Sequence, residues 1–219
     1  MQTFEPGTLV AGTPVGTKTY SKPSVVSSGT ETFSLIRPAP GGIGLDYGRI
    51  ATMNISGSPS SGTQARTSAF CVLGVPTRPS DVPPVASVSF TRFRVNGNAF
   101  DNSSGALVTY TLSKSTATLS VDLTTGIFTT TLHAIGTTAG GADTDFGTFS
   151  GSGSLGISDA SLSGAFFSSP AGPLGGPLNG GFFGPQGSEF GYTFTLLRST
   201  VGSPTHTDLA LIGMVTGAR

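Results

Sequence analysis

The stretch Asn179-Gly-Gly-Phe-Phe-Gly-Pro-Gln-Gly-Ser-Glu-Phe-Gly-Tyr-Thr-Phe194 decides the fold. Two aromatic runs flank Gly184-Pro185-Gln186-Gly187, a cluster that sets turns and breaks ladders. The runs therefore read as neighbouring strands of a hairpin. Gly180, Gly184 and Gly191 lie in or beside it, where a side chain would clash or require strained backbone. The glycines are expected to serve folding, and the rings to supply core.

The same grammar extends outward from this hairpin. Strands are expected at 107–112, 117–123, 126–134, 146–153, 160–167, 178–184, 189–197 and 207–216. Leu119, Val121 and Leu123 alternate with small or polar residues, the period of a strand with one buried face. An even set of short antiparallel strands loses its exposed edges by closing, and eight strands make a barrel filled by its own side chains. Phe146, Phe149, Phe166, Phe167, Phe182, Phe183, Phe190, Tyr192 and Phe194 are the expected core aromatics.

The first half is less regular. Strands are expected at 32–36, 49–55, 67–75 and 87–95, separated by Pro/Gly/Ser-rich connections at 38–42, 56–62 and 76–84. The composition supports an all-β chain: 33 Gly, 15 Pro and 10% charged residues in 219, with 15 Phe and no Trp. The expected architecture is an N-terminal, loop-rich sheet over residues 1–104 and an eight-stranded antiparallel barrel over 105–219.

Eleven basic and eleven acidic residues are scattered singly, so no cationic cluster is present to neutralise a run of phosphates, and nucleic acid is not an expected partner. The apolar runs are far shorter than the roughly 20 residues of a membrane helix. Residues 1–6 lack the basic start and apolar core of a signal peptide, which fits a mature segment. The single cysteine, Cys71, lies in Ala69-Phe-Cys-Val-Leu73 and reads as a small buried hydrophobe.

Motifs for chemistry are sparse. Gly151-Ser-Gly-Ser-Leu-Gly156 matches G-x-G-x-x-G, but a turn and another strand follow it, not the helix a pyrophosphate needs. No H-E-x-x-H, C-x-x-C or G-x-S-x-G is found, and neither a catalytic residue nor a metal site is expected. Asp143 and Asp145 form the one close acidic pair and read as a solvated turn, because a calcium loop supplies further oxygens at regular offsets. Asp122 reads as a hairpin residue and His133 as a partly exposed strand histidine. His206 is placed in a turn, where an exposed loop histidine and an axial haem ligand are the two readings. Arg92 and Arg94 fall on one strand face, either as charges guarding a sheet edge or as cationic contacts for a carboxylate ligand such as a haem propionate.

The segment 179–194 also resembles the most recognisable motif of the transferrin-binding-protein-like surface lipoproteins. Gly213-Met-Val-Thr-Gly-Ala-Arg219 is similar to their last strand, and Gly147-Thr-Phe-Ser-Gly-Ser-Gly153 and Leu162-Ser-Gly-Ala-Phe166 resemble earlier ones. The resemblance covers roughly 105–219. It implies a barrel joined to a looser "handle" sheet, export to the outer surface of Gram-negative bacteria, a lipid anchor on an N-terminal Cys not seen in this chain, and capture of iron carriers, haem or complement regulators.

The expectation is thus a non-enzymatic surface or secreted binding protein, monomeric, with a protein or haem as ligand. A self-associating structural or adhesive coat protein is the second reading of this neutral Ser/Thr/Gly-rich sequence. With the barrel filled, contacts are expected on handle loops 38–47 and 76–84, through Tyr47, Arg49 and Arg78, because aromatic and Arg side chains dominate interface energetics.

Overall fold

The computed structural model describes residues 9–13, 15–24, 28–42, 44–55, 67–82, 85–156, 158–167, 174–200 and 203–219. Within them are fourteen strands, three short 3-10 turns and no α-helix. Strands β1 (Thr17–Pro23), β2 (Thr30–Ile36), β3 (Gly48–Ile55) and β4 (Thr67–Gly74) form an antiparallel meander in chain order, the handle.

The second sheet contains β5 (Ser87–Ser89), β6 (Arg92–Asp101), β7 (Val108–Thr111), β8 (Thr116–Asp122), β9 (Ile127–Thr137), β10 (Asp143–Leu155), β11 (Ser161–Phe167), β12 (Gly176–Phe183), β13 (Glu189–Thr200) and β14 (Ser203–Ala218). From β9 to β14 each strand pairs with the next, and β14 pairs from Leu209 to Ala218 with the whole of β6. The pairs Asp101↔Val108, Asn98↔Thr111, Ser89↔Ser120 and Ser87↔Asp122 share one antiparallel register. Thus β5 and β6 are two pieces of one stave, and β7 and β8 two pieces of the next. The ring closes at eight staves as β8 pairs along β9 and β7 meets it at Thr111↔Thr137. Ser115, in the break between β7 and β8, donates through Oγ to the Ile135 carbonyl and accepts from the Ile135 N–H, sealing the gap.

Two sequence expectations change here. The strand expected at 87–95 as part of the first-half sheet supplies the first barrel stave, so the step from handle to barrel falls before Ser87 and not at 104/105. Residues 102–105 are a hairpin turn inside the barrel, with Gly105 at φ 81°. Arg92 and Arg94 pair with Ala218 and Thr216 of β14 inside the ring, and β6 meets β7 only from Asn98 to Asp101.

The barrel is full. Phe128, Leu132, Phe149, Phe182, Phe190, Tyr192 and Phe194 are buried in one apolar cluster. Phe166 packs edge-on to Phe194, and Phe90 packs against Phe182 and Phe190. Tyr192 shares a hydrogen bond of 2.8 Å with the Thr130 hydroxyl, and burial pushes its pKa upward. Phe167 is exposed, contrary to its expected core role, because it faces away from the buried Phe166 beside it. Phe183 is buried on the outside of the barrel, under the handle.

Candidate functional site

The handle docks on the barrel through β3 and β4. The inner face of these strands carries Gly48, Ile50, Thr52 and Asn54 on one and Gly74, Val72, Phe70 and Ser68 opposite them on the other. At the lower end the contact is tight. A side chain at Gly191 on β13 would strike Val72, and one at Gly74 would strike the ring of Phe183. Beyond β4 the chain continues the attachment: Gly184 donates its N–H to the Val75 carbonyl, and Thr77 donates its N–H to Phe182 and its hydroxyl to Gly184.

At the centre of this seam is Glu189. Its carboxylate is 6% exposed and accepts three backbone N–H groups from the handle: Asp46 at 2.6 Å, Tyr47 at 3.0 Å and Gly48 at 2.7 Å. Among the described residues no cation pairs with it. Oriented amides take that place, as in a backbone nest. In the sequence Glu189 is a single acid with no charged neighbour in its motif. Its one signal was a charge in an otherwise uncharged aromatic hairpin, opposite in parity to Phe190, and its partners lie over 140 residues away.

The expected contact residues divide according to how free they are. Tyr47 lies with its ring beside Gly184 and remains 37% exposed. Arg49 donates to the carbonyls of Leu45, Asp46 and Gly48, and Arg37 converges on Leu45 while pairing with Asp46. The chain at Leu45 and Asp46 is thereby braced by two arginines. Arg78, just before the 3-10 turn Pro79–Asp81, is exposed with no side-chain partner among the described residues. Arg92 donates through Nε and Nη2 to the main-chain oxygen of Arg219, and Arg94 donates to the Asn96 side chain. His206 lies within β14 and not in a turn; its side chain lies outside the described residues. The structure brings Tyr47 and Arg49 together, and places Arg92 and Arg94 on the barrel.

The outer face of β3 and β4 completes the picture. Arg49 faces Leu73 and Ala51 faces Cys71 across the ladder, and Val75 donates its N–H to the Tyr47 carbonyl. Cys71 is exposed, which corrects its reading as a small buried hydrophobe: strand parity turns it away from the barrel, and half-buried Val72 faces Gly191 in its stead. Leu73 and Val75 are 39% and 62% exposed. Exposed Tyr47, Leu73, Val75 and Arg78 thus succeed one another along the handle's end.

Elsewhere the carboxylates are committed. Asp143 binds Lys114 and Thr137, and the Lys114 bond comes first in holding it below the usual carboxylate range. Asp145 is lowered first by the Gly147 N–H and then by His133. Asp122 caps the β8–β9 hairpin through the amides of Thr124 and Thr125. Among the described residues no group of three or more His, Cys, Asp or Glu is placed to hold a metal.

No family model matches the sequence, and no curated protein matches it. Solved structures do. Transferrin binding protein B, isotype 1, of serogroup B Neisseria meningitidis aligns with a TM-score of 0.58 at 15% identity, over 96% of this chain and 36% of that one. A double mutant of transferrin binding protein B from Haemophilus parasuis Hp5 aligns at 0.56 and 14%, over 93% and 36%. The chain spans about a third of the length of these neighbours. At such identity the likeness speaks for the fold, which is the handle and barrel of the transferrin binding proteins.

Proposed function

We propose that the protein is a non-enzymatic binding protein of the bacterial outer surface that captures an iron-carrier protein through the end of its handle. The observation that carries this reading is the exposed run of Tyr47, Leu73, Val75 and Arg78 at and just beyond the end of a sheet whose other face is fixed to the barrel. Aromatic, aliphatic and Arg side chains on a rigid support are what protein interfaces use as anchors. The filled barrel leaves the lumen no room for a ligand. The likeness to transferrin binding protein B supports an iron-carrier protein as the partner, and the outer-surface location is part of the same proposal.

The test is surface plasmon resonance of the purified chain against iron-loaded transferrin and lactoferrin. Binding by wild type, weakened about tenfold or more in Val75→Asp and Arg78→Ala with unchanged thermal midpoints, supports the reading. Failure to bind either carrier, or equal binding by both variants, counts against it. A Soret band on haemin addition would favour haem as the ligand, and strong self-association in sedimentation would favour a coat protein.

A further inference from the structure

The two sheets part company above the seam. Ile50 is buried and Val72 meets Gly191 of β13, whereas the next inward residues, Thr52 and Phe70, and then Asn54, stand off from the barrel. Facing them on the outer surface of β6 and β7 are Asn96 and Asn98, two residues apart on one face, and Thr111, the cross-strand partner of Asn98. Together they enclose a cleft of about 320 Å³.

Its chemistry is unusual for a gap between sheets, since it carries amides, hydroxyls and one ring, with no charged side chain among its lining residues. Asn54 accepts from the Ser68 hydroxyl at 2.9 Å and Asn96 accepts from Arg94 Nε at 3.1 Å, so both amides are held with N–H groups to spare. The Asn98 side chain and the Thr52 hydroxyl have no partner among the described residues. A ligand for this cleft must offer several neutral groups that both donate and accept, together with an apolar face for Phe70. No charged side chain lines the cleft to select an anion, and Arg94 meets it through its Nε bond to Asn96.

We propose that this cleft binds one ring of a neutral saccharide. Vicinal hydroxyls match the donor and acceptor pairs of Asn98 and the donors of Asn54 and Asn96, and the C–H face of the sugar ring lies on Phe70. The volume is near the lower end of the roughly 300–1,000 Å³ of small-molecule sites, which fits a single ring and not a macrocycle. This site is separate from the handle's outer face, and the proposal does not depend on the identity of a protein partner.

The experiment is an array of neutral and sialylated glycans probed with the full chain, followed by an amide NMR titration with the best neutral glycan. Neutral glycans are expected to bind, with shifts at residues 52–54, 70 and 96–98. Asn98→Ala and Phe70→Leu should weaken binding about tenfold or more, with an unchanged thermal midpoint for Asn98→Ala. The free oligosaccharide and the same glycan on a glycoprotein should bind alike per glycan. An array without neutral hits, binding that follows sialic acid, shifts outside the cleft, full affinity in Asn98→Ala, or recognition of the glycoprotein alone would each overturn the proposal.

Discussion

Barrel and handle are both antiparallel meanders, yet they are stabilised in opposite ways. The barrel is closed, so every stave has two neighbours, and its interior is a continuous apolar cluster built on aromatic rings. The handle has four strands in a row and owes one buried face to the barrel, through Ile50, Val72 and the carboxylate of Glu189. A sheet's stability rests on covering its apolar face, and for the handle the barrel supplies that cover. The handle's order is therefore borrowed, and the barrel is what lends it.

The largest expected effect comes from the barrel itself. At Gly180 a Cβ would fall on the carbonyl oxygen of Gly191 and against the Tyr192 backbone in the facing strand. Gly180→Val should cost more than about 4 kcal/mol or abolish folding, with both sheets lost in one transition, read by circular dichroism and chemical denaturation. Loss of the handle signal alone would show that the two are less tightly linked than described.

Glu189→Ala comes next. It leaves three buried N–H groups without an acceptor and should cost about 2–4 kcal/mol, expressed as faster amide exchange across β2 to β4 while β9 to β14 stay protected. Uniform loss of protection in both sheets would break the distinction. Gly191→Val should cost about 1–3 kcal/mol by overpacking against Val72, again in the handle first. Thr216, whose hydroxyl is buried near this contact with no hydrogen-bond partner among the described residues, sharpens the same point, because Thr216→Val should be neutral or stabilising by up to about 1 kcal/mol.

The smallest effect is electrostatic. Asp145 is held low by the Gly147 N–H and by His133. A lowered carboxylate stabilises above its unfolded pKa, about 3.9, and that stabilisation is lost as pH falls through the folded value. Wild type should therefore lose slightly more thermal stability than Asp145→Asn on acidification below about pH 4. Parallel curves for the two proteins would remove any role for this pair.

These contrasts also explain what could be read in advance. The barrel was legible from Leu119, Val121 and Leu123 and from the hairpin around Gly184, because period-two patterning is local. Strand β1 escaped notice, since Thr17–Pro23 is polar and its pairing with β2 supplies what propensity does not. Turn residues 102–105 looked like a boundary because punctuation marks the end of a strand without saying which sheet the next one joins. Cys71 was misplaced for a related reason: a continuous apolar run such as 69–73 does not reveal its parity. Of the contact candidates, Tyr47 and Arg78 stand exposed, whereas Arg49 is tied to the neighbouring carbonyls of Leu45, Asp46 and Gly48, and Arg92 to that of Arg219, which only the folded chain brings near. The seam at Glu189 was invisible for the same reason, its partners being main-chain amides with no sequence signature.

The most direct measurement is amide hydrogen exchange of the full chain with and without iron-loaded transferrin, supplied at saturating concentration. The account predicts slowed exchange confined to the handle's end, around residues 47–51 and 71–81, with the barrel staves unchanged. Protection concentrated between Phe146 and Phe194, or an exchange map indifferent to the carrier, would contradict it.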